Sequence, residues 1–420
     1  MSRSLVVSGF SCISSARINF SRLTLIIGPQ ASGKSVICKL AYFFNQLLTE
    51  QFHKIEDNSS LEDFKNHTAQ KFMQLFPVSA WGGKKFDIEY CAGDYSVRLQ
   101  RTSAKSERVK VSFSSFFEIL YSEAQEAYRK LRQKSQKNEF SARIDADWSV
   151  RGKLIKEIRK KLGRDFAEYQ LFIPAGRSFF TNAGKAIMLL DQGNLVDPIV
   201  GRFGRIFANF REHYQFGYIE RSVRNPEKWR EILGGELKTE RDLEYVETSD
   251  GRRVPFVALS SGQQELLPLF MVLSAWGFSG KDDVVQHLYI EEPEAHLFPS
   301  AQSSLVEIFA ELLNESEGLL DLVLTTHSPY VLSKFNNLVK AGSVGSEPAK
   351  ARSVSKLIKR AAWIAEGDLS AYAISEGSAV SVVDDEGLID GMYLDSISDE
   401  ISNEFGKLLA FEHSHRGGNE

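Results

Sequence analysis

The stretch Gly28-Pro29-Gln30-Ala31-Ser32-Gly33-Lys34-Ser35 follows directly on the apolar run Leu23-Thr-Leu-Ile-Ile27 and leads into a helical pattern from Val36. A strand, the pattern GxxxxGK[ST] and a helix start, in that order, make a phosphate-binding loop of the Walker A type. Glycines at 28 and 33 let the backbone wrap a polyphosphate, with its N–H groups aimed inward at the positive end of the following helix. Lys34 would then reach the outer phosphates and Ser35 would hold Mg2+. The chemistry expected is binding of a nucleoside triphosphate, ATP.

Three further stretches carry chemistry. In Leu259-Ser260-Ser261-Gly262-Gln263-Gln264-Glu265, serine and glycine stand just before an apolar helix, which exposes N–H groups and a hydroxyl as a second anion-binding element. His287-Leu-Tyr-Ile-Glu291-Glu292-Pro-Glu294 is a strand that ends in consecutive carboxylates. One of the pair can stay ionised beside a metal while the other accepts a proton or orients water. Leu320-Asp-Leu-Val-Leu-Thr-Thr-His327-Ser-Pro329 is an apolar strand that ends in a histidine. A parallel sheet delivers the last side chains of its strands to its carboxyl edge, where a phosphate loop opens. The carboxylates and His327 are therefore expected at the edge that carries residues 28–35.

The elements that must position these groups follow from periodicity. Residues 5–7 and 18–20 read as short strands joined by a turn, 86–90 and 95–100 alternate about Ala92-Gly-Asp94 as a hairpin, and 109–113 is a third strand. Residues 40–48 continue the helix begun at the loop, with apolar side chains on more than one side, as a buried helix has. From about 115 to 168 the pattern is helical and basic, with thirteen Lys/Arg against four acids between Arg129 and Arg164. That excess reads either as a nucleic-acid surface or as a solvated helical face. Some fifty residues without sustained heptads cannot form the long arms of a chromosome-maintenance ATPase. Residues 171–173 are a buried-strand candidate ending in Pro174-Ala-Gly-Arg177, a turn whose arginine lines the site, an interface or the surface. A second hairpin is expected across Ser249-Asp-Gly251. The expected organisation is a first lobe at 1–114, a helical insertion at 115–168, a second lobe at 169–340 and a C-terminal extension at 341–420.

Composition bounds the rest. With 420 residues, 43% hydrophobic and 25% charged, the chain is an ordinary globular one, and disordered and collagen-like classes are excluded. Cys12, Cys38 and Cys91 lie far apart without CxxC spacing, which points away from zinc and disulfides and towards a cytoplasmic location. No run of about 18 apolar residues occurs, so no membrane span is expected. The net charge of −4 argues against a surface that binds nucleic acid throughout. From Asp384 to Glu404 there are eight acids and no base, either a solvated tail or a docking surface for a basic partner.

The order of Walker A at 28–35, LSSGQ at 259–263, IEEPE at 290–294 and TTHSP at 325–329 resembles the nucleotide-binding domains of the ABC class. The resemblance implies an α/β fold, a P-loop ABC-type ATPase core with an antiparallel β lobe and a helical insertion. It also implies that Ser260, Ser261, Gly262 and Gln263 form a signature acting in trans on the site of another subunit, with Ser261 replacing the usual glycine. By the same resemblance Glu291, where the family usually has Asp, would hold Mg2+ with Ser35, Glu292 would polarise the attacking water, and His327 would be the switch histidine. The variants EEPEAHLFP and TTHSPYVL, and the turn Ile173-Pro-Ala-Gly-Arg177, are similar more narrowly to the OLD-like ATPases, among them the ATPases of the Septu and PARIS anti-phage systems. Many OLD proteins continue into a Toprim nuclease, and the roughly 70 residues after Lys350 show no long βα series to build one. The implied function is an ATP-hydrolysing switch, a homodimer or larger homo-oligomer with ATP at its subunit interfaces, that controls a separate nuclease or toxin. The alternative is a DNA repair or recombination ATPase that clamps DNA through the 129–164 segment.

Overall fold

The structure is a computed structural model that describes residues 3–135, 140–183, 196–215, 225–240, 243–275, 284–390 and 402–408. Strands β1 (Ser4–Phe10) and β2 (Ile13–Asn19) pair antiparallel from Ser4 with Asn19 to Phe10 with Ile13. They run longer than the apolar triplets alone suggest, because Leu5, Val7, Ala16 and Ile18 alternate onto one buried face. Strand β3 (Leu23–Ile27) is buried at every position. Helix α1 (Lys34–Glu56) starts at Gly33 and is buried on more than one side. Helix α2 (Leu61–Leu75) opens on a reciprocal cap: the Ser60 hydroxyl accepts from the Asp63 N–H at 3.1 Å, and the Asp63 carboxylate accepts from the Ser60 N–H at 2.9 Å.

Strands β4 (Phe86–Ala92), β5 (Tyr95–Arg101) and β6 (Lys110–Phe113) extend β1 and β2 as an antiparallel wing with alternating burial. Helices α3 (Ser115–Ser135) and α4 (Phe140–Leu162) follow. On α4, Val150, Leu154, Ile158 and Leu162 are buried at four-residue intervals, while Lys153, Lys156, Lys160 and Lys161 are exposed. Four residues of the basic segment, 136–139, lie outside the described residues.

Strand β7 (Tyr169–Ile173) leads to helices α5 (Ser178–Ala183), α6 (Pro198–Gln215) and α7 (Pro226–Leu233). Strands β8 (Glu236–Glu240), β9 (Leu243–Glu247) and β10 (Arg253–Pro255) make a separate antiparallel sheet. Then come α8 (Ser261–Ala275), β11 (Gln286–Glu291), α9 (Pro299–Glu315), β12 (Leu320–Thr326), α10 (Pro329–Gly345), α11 (Pro348–Leu357), β13 (Leu369–Ser375) and β14 (Ser378–Ser381).

One mixed, 11-stranded sheet runs in the order β6-β5-β4-β1-β2-β14-β13-β3-β12-β11-β7. From β13 to β7 the pairings are parallel. Residues after 340, expected as an extension, thus supply two strands to the middle of the sheet. Burial explains the placement: Leu369, Ala371, Ala373 and Ile374 are buried and need cover on both faces. Of the acidic stretch, 384–390 is described and 391–401 is not. Two apolar layers sandwich the sheet, and β3 serves both. Ile26 faces the layer with Phe43, Phe44 and Phe72, and Leu25 and Ile27 face that of α8, α9 and α10, with Leu266, Phe309 and Phe335. Among the described residues no helix is long and apolar enough to cross a membrane.

At the amino edge of the parallel strands a buried polar cluster joins wing to core. Arg3 donates to Asp321 at 2.5 Å and to His287 Nδ1 at 2.9 Å, Arg164 donates to Asp321 at 3.0 Å, and His287 Nε2 lies 3.5 Å from Asp321. Burial and the neighbouring Arg3 and Arg164 hold His287 well below its ordinary pKa. A folded-state pKa below the unfolded one means the unfolded chain binds the extra proton, so the His287 contribution is present above pH 6.5 and is lost on acidification. Burial pushes Asp321 the other way, up from the usual carboxylate range, so its opposing effect enters at lower pH. The melting temperature is expected to fall between pH 7 and pH 5.5, and less steeply in His287→Gln. Arg3→Met, which leaves the buried Asp321 with only the more exposed Arg164 as a cationic partner, should cost about 3 kcal/mol in urea unfolding.

Candidate functional site

The ladder brings the chemistry to one edge. Ile27 pairs with Thr326, Thr325 with Glu291, and Ile290 with Ile173, so residues 28, 174, 292 and 327 all leave the sheet at the same end. The 28–35 loop bends there through positive φ at Gly28 (153°), Ala31 (60°) and Gly33 (107°). A Cβ at 28 would stand 2.5 Å from the Ile374 carbonyl oxygen, so Gly28 is required by space as well as by conformation, whereas one at 33 would meet the movable side-chain end of Ile13 at 2.4 Å and Gly33 is required chiefly by its φ. Pro29, Gln30, Ala31 and Ser35 are exposed. Lys34 is buried and donates to the carbonyls of Gly28 and Pro29, each at 2.8 Å. Burial lowers its pKa, against the field of Glu292, Glu294 and Glu291. The buried Ser32 hydroxyl has no hydrogen-bond partner among the described residues.

Glu291 ends β11 with a buried carboxylate. Burial raises its pKa above the usual range, while the Ser35 hydroxyl and Lys39 favour the ionised form. One oxygen is 3.4 Å from the Ala175 N–H, and the other, Oε1, is buried without a partner among the described residues. A hydroxyl facing a carboxylate with a free oxygen beside a phosphate loop is a donor set that fits Mg2+. Glu292 takes a left-handed φ of 42°, which bends the chain out of the strand. Its N–H is held by the Thr325 carbonyl at 3.0 Å and the Thr325 hydroxyl at 3.2 Å. His327 Nδ1 lies 3.5 Å from the Glu292 carboxylate. Their hydrogen bond lowers the Glu292 pKa and raises that of His327.

Glu294, which sequence reasoning left without a role, accepts from the Thr326 hydroxyl at 2.6 Å and the His327 N–H at 3.1 Å, and so fixes the backbone that presents the histidine. No spacing rule separates it from its neighbours; only the fold over β12 reveals it. His296, φ 61°, closes the turn after the carboxylates.

The 259–263 stretch caps α8. The Ser260 hydroxyl and N–H both donate to the Gln263 side chain, at 2.9 and 3.0 Å, and Gln263 donates onward to the Leu233 carbonyl at 2.6 Å. Ser260 and Ser261 are exposed, whereas Gly262 is buried, with the His296 carbonyl oxygen 2.6 Å from where a Cβ would stand. Among the described residues, the side-chain hydrogen bonds of 260–263 do not reach the 28–35 loop of the same chain. Arg177 is neither a surface nor an interface residue. It is fully buried beneath the carboxylate pair, because its guanidinium finds main-chain acceptors there.

The His327–Glu292 contact has a direct readout. In an NMR titration the His327 imidazole is expected to protonate above pH 6.5 and to shift back towards 6.5 in Glu292→Gln; an unchanged midpoint would show that the pair is not formed.

The model of the AAA ATPase domain family matches residues 1–332. No curated protein sequence matches. Similar solved structures include an SMC head bound to the C-terminal winged-helix domain of ScpA, at 12% identity and TM-score 0.42, covering 90% of this chain and 96% of that one. The SMC head domain of Thermotoga maritima is similar at 14% identity and TM-score 0.34, covering 91% and 98%. The Pyrococcus furiosus SMC head with an extended coiled coil, bound to the C-terminal domain of ScpA, is similar at 15% identity and TM-score 0.39, covering 95% and 98%. With a phosphate loop, a carboxylate pair and a histidine on one edge of an α/β sheet, and the family model spanning most of its length, the chain belongs to the AAA ATPase domain family and is an ATPase.

Proposed function

We propose that this ATPase is a nucleotide-gated switch in which two copies close head to tail, residues 260–263 of one completing the 28–35 site of the other. The observation that carries this reading is the composition of the site's own edge. Phe298 is 77% exposed and Val257 70%, and Tyr330 and Phe179 are also open to solvent, each adjoining a functional stretch. Large apolar side chains left open to solvent next in sequence to the stretches of a polar site are what a surface covered by another protein presents. The exposed serines at 260 and 261 suit an anion brought by the second copy.

In this reading the 28–35 backbone wraps the phosphates, and Lys34 exchanges the carbonyls of Gly28 and Pro29 for phosphate oxygens. Ser35 and Glu291 hold Mg2+, which supplies charge neutralisation at the phosphates when bound. Glu292, kept ionised by His327, orients water and receives its proton. Nucleotide held by both copies favours the closed state, and hydrolysis releases it, so the γ-phosphate biases a two-state population.

By the likeness of EEPEAHLFP and TTHSPYVL to OLD-like defence ATPases, the switch belongs to the sensor or regulatory subunit of an anti-phage system and controls a separate nuclease or toxin. The exposed Lys153, Lys156, Lys160 and Lys161 on α4 favour a second reading, a repair or recombination ATPase that clamps DNA. A pull-down with Glu292→Gln and ATP separates the two. The substitution should keep nucleotide bound and prolong the closed state; a stoichiometric nuclease or toxin with little DNA is expected. DNA alone, released by high salt, would overturn the defence assignment and favour the clamp.

A further inference from the structure

Arg177 stands where three segments meet. Its Nε donates to the Glu265 carbonyl at 3.0 Å, Nη1 to the carbonyls of Pro174 at 3.0 Å and Glu291 at 2.7 Å, and Nη2 to that of Glu292 at 2.9 Å. Contact also runs in the reverse direction. The Glu265 carboxylate accepts from the N–H groups of Arg177 at 2.8 Å and Ser178 at 3.0 Å. Helix α8 is built to receive this grip. Pro268 inside it has no N–H, so the Gln264 carbonyl loses its helical partner, and the Thr181 hydroxyl takes it at 2.8 Å.

We propose that Arg177 is a positioning residue for hydrolysis, coupling the start of α8 to the main chain that aims Glu292. A glutamate with left-handed φ is strained and persists only where its surroundings hold it. At Glu292 the Thr325 contacts hold the N–H side of the bend and Arg177 holds the carbonyl side. The same guanidinium is bonded to Glu265, one turn from Ser260 and Ser261. A displacement of the exposed end of α8 therefore reaches the Glu292 peptide through one rigid, planar group. Lysine cannot take its place: an ammonium on a flexible stem has three donors and no fork to span carbonyls on three segments. What displaces α8 rests on the reading above, engagement of 260–263 by nucleotide held on the second copy.

The test uses the full chain with Arg177→Lys, Arg177→Met, Glu265→Gln and the Arg177→Lys/Glu265→Gln double variant, each checked by thermal melting. ATP affinity, measured with a fluorescent ATP analogue and Mg2+, should stay within about threefold of the parent, while kcat should fall by about 30-fold or more in each single variant. The double variant should be no slower than the slower single, because both changes loosen one junction, Arg177→Lys through the guanidinium bond to the Glu265 carbonyl and Glu265→Gln through the carboxylate bonds to the N–H groups of 177 and 178. A kcat within threefold of the parent, an equal loss of nucleotide affinity, or losses that multiply in the double variant would each overturn the proposal. If Arg177→Met does not fold, Arg177→Lys and Glu265→Gln still decide. ATP-dependent association of Glu292→Gln, followed by sedimentation, is read separately. If it stays monomeric the two-copy reading fails, whereas the split between kcat and ATP affinity continues to judge Arg177.

Discussion

The register of the parallel strands is the constraint on which the site depends. Because side chains alternate between faces, a slip of one residue would turn Glu291 to the opposite layer and carry His327 away from the phosphate loop. The apolar content of β3, β11 and β12 prevents that slip: each is buried throughout, and every other residue must fit one of two different packed layers. The ladder pairs of Ile27 with Thr326 and Thr325 with Glu291 are thus set by packing well away from the edge where the chemistry lies.

Past the last ladder bonds the chain must satisfy its polar groups by other means. Thr325 holds the Glu292 N–H, Glu294 holds the N–H of His327, and the guanidinium of Arg177 takes up the carbonyls of Glu291 and Glu292. Nearly every polar atom at the edge has a protein partner, which makes the exceptions informative. Ser32 Oγ, Glu291 Oε1 and Glu294 Oε2 are buried without one among the described residues. An unsatisfied buried polar atom costs about 1–3 kcal/mol. The first two lie in the phosphate loop and on the carboxylate beside it, where an ATPase must receive phosphate and metal.

The nucleotide loop is walled by segments remote in sequence. Ile13, from the first hairpin, and the Ile374 carbonyl, from β13, close on Gly33 and Gly28. The strand that supplies Ile374 also joins the antiparallel wing to the parallel core. At the opposite edge the Arg3, His287, Asp321 and Arg164 cluster ties wing, core and the end of α4 together. The wing is therefore anchored to the core at both ends of its junction.

The sequence by itself determined the groups whose chemistry is local. GxxxxGKS behind an apolar strand states a phosphate loop whatever surrounds it, and consecutive glutamates or a histidine at the end of an apolar run state where a sheet edge lies. The wing hairpins and α1 were legible for the same reason, since period-two and helical patterns need only neighbouring residues. Tertiary structure alone decided what depends on partners tens to hundreds of positions away. The 369–375 strand enters the middle of the sheet because buried residues there required cover on both faces. Glu294 reaches His327 only when β11 and β12 lie side by side. A turn arginine and a helix glutamate 88 residues apart, Arg177 and Glu265, carry no shared pattern in the chain. They meet because a buried guanidinium must find acceptors, and the ends of β7, β11 and α8 are the places that offer them.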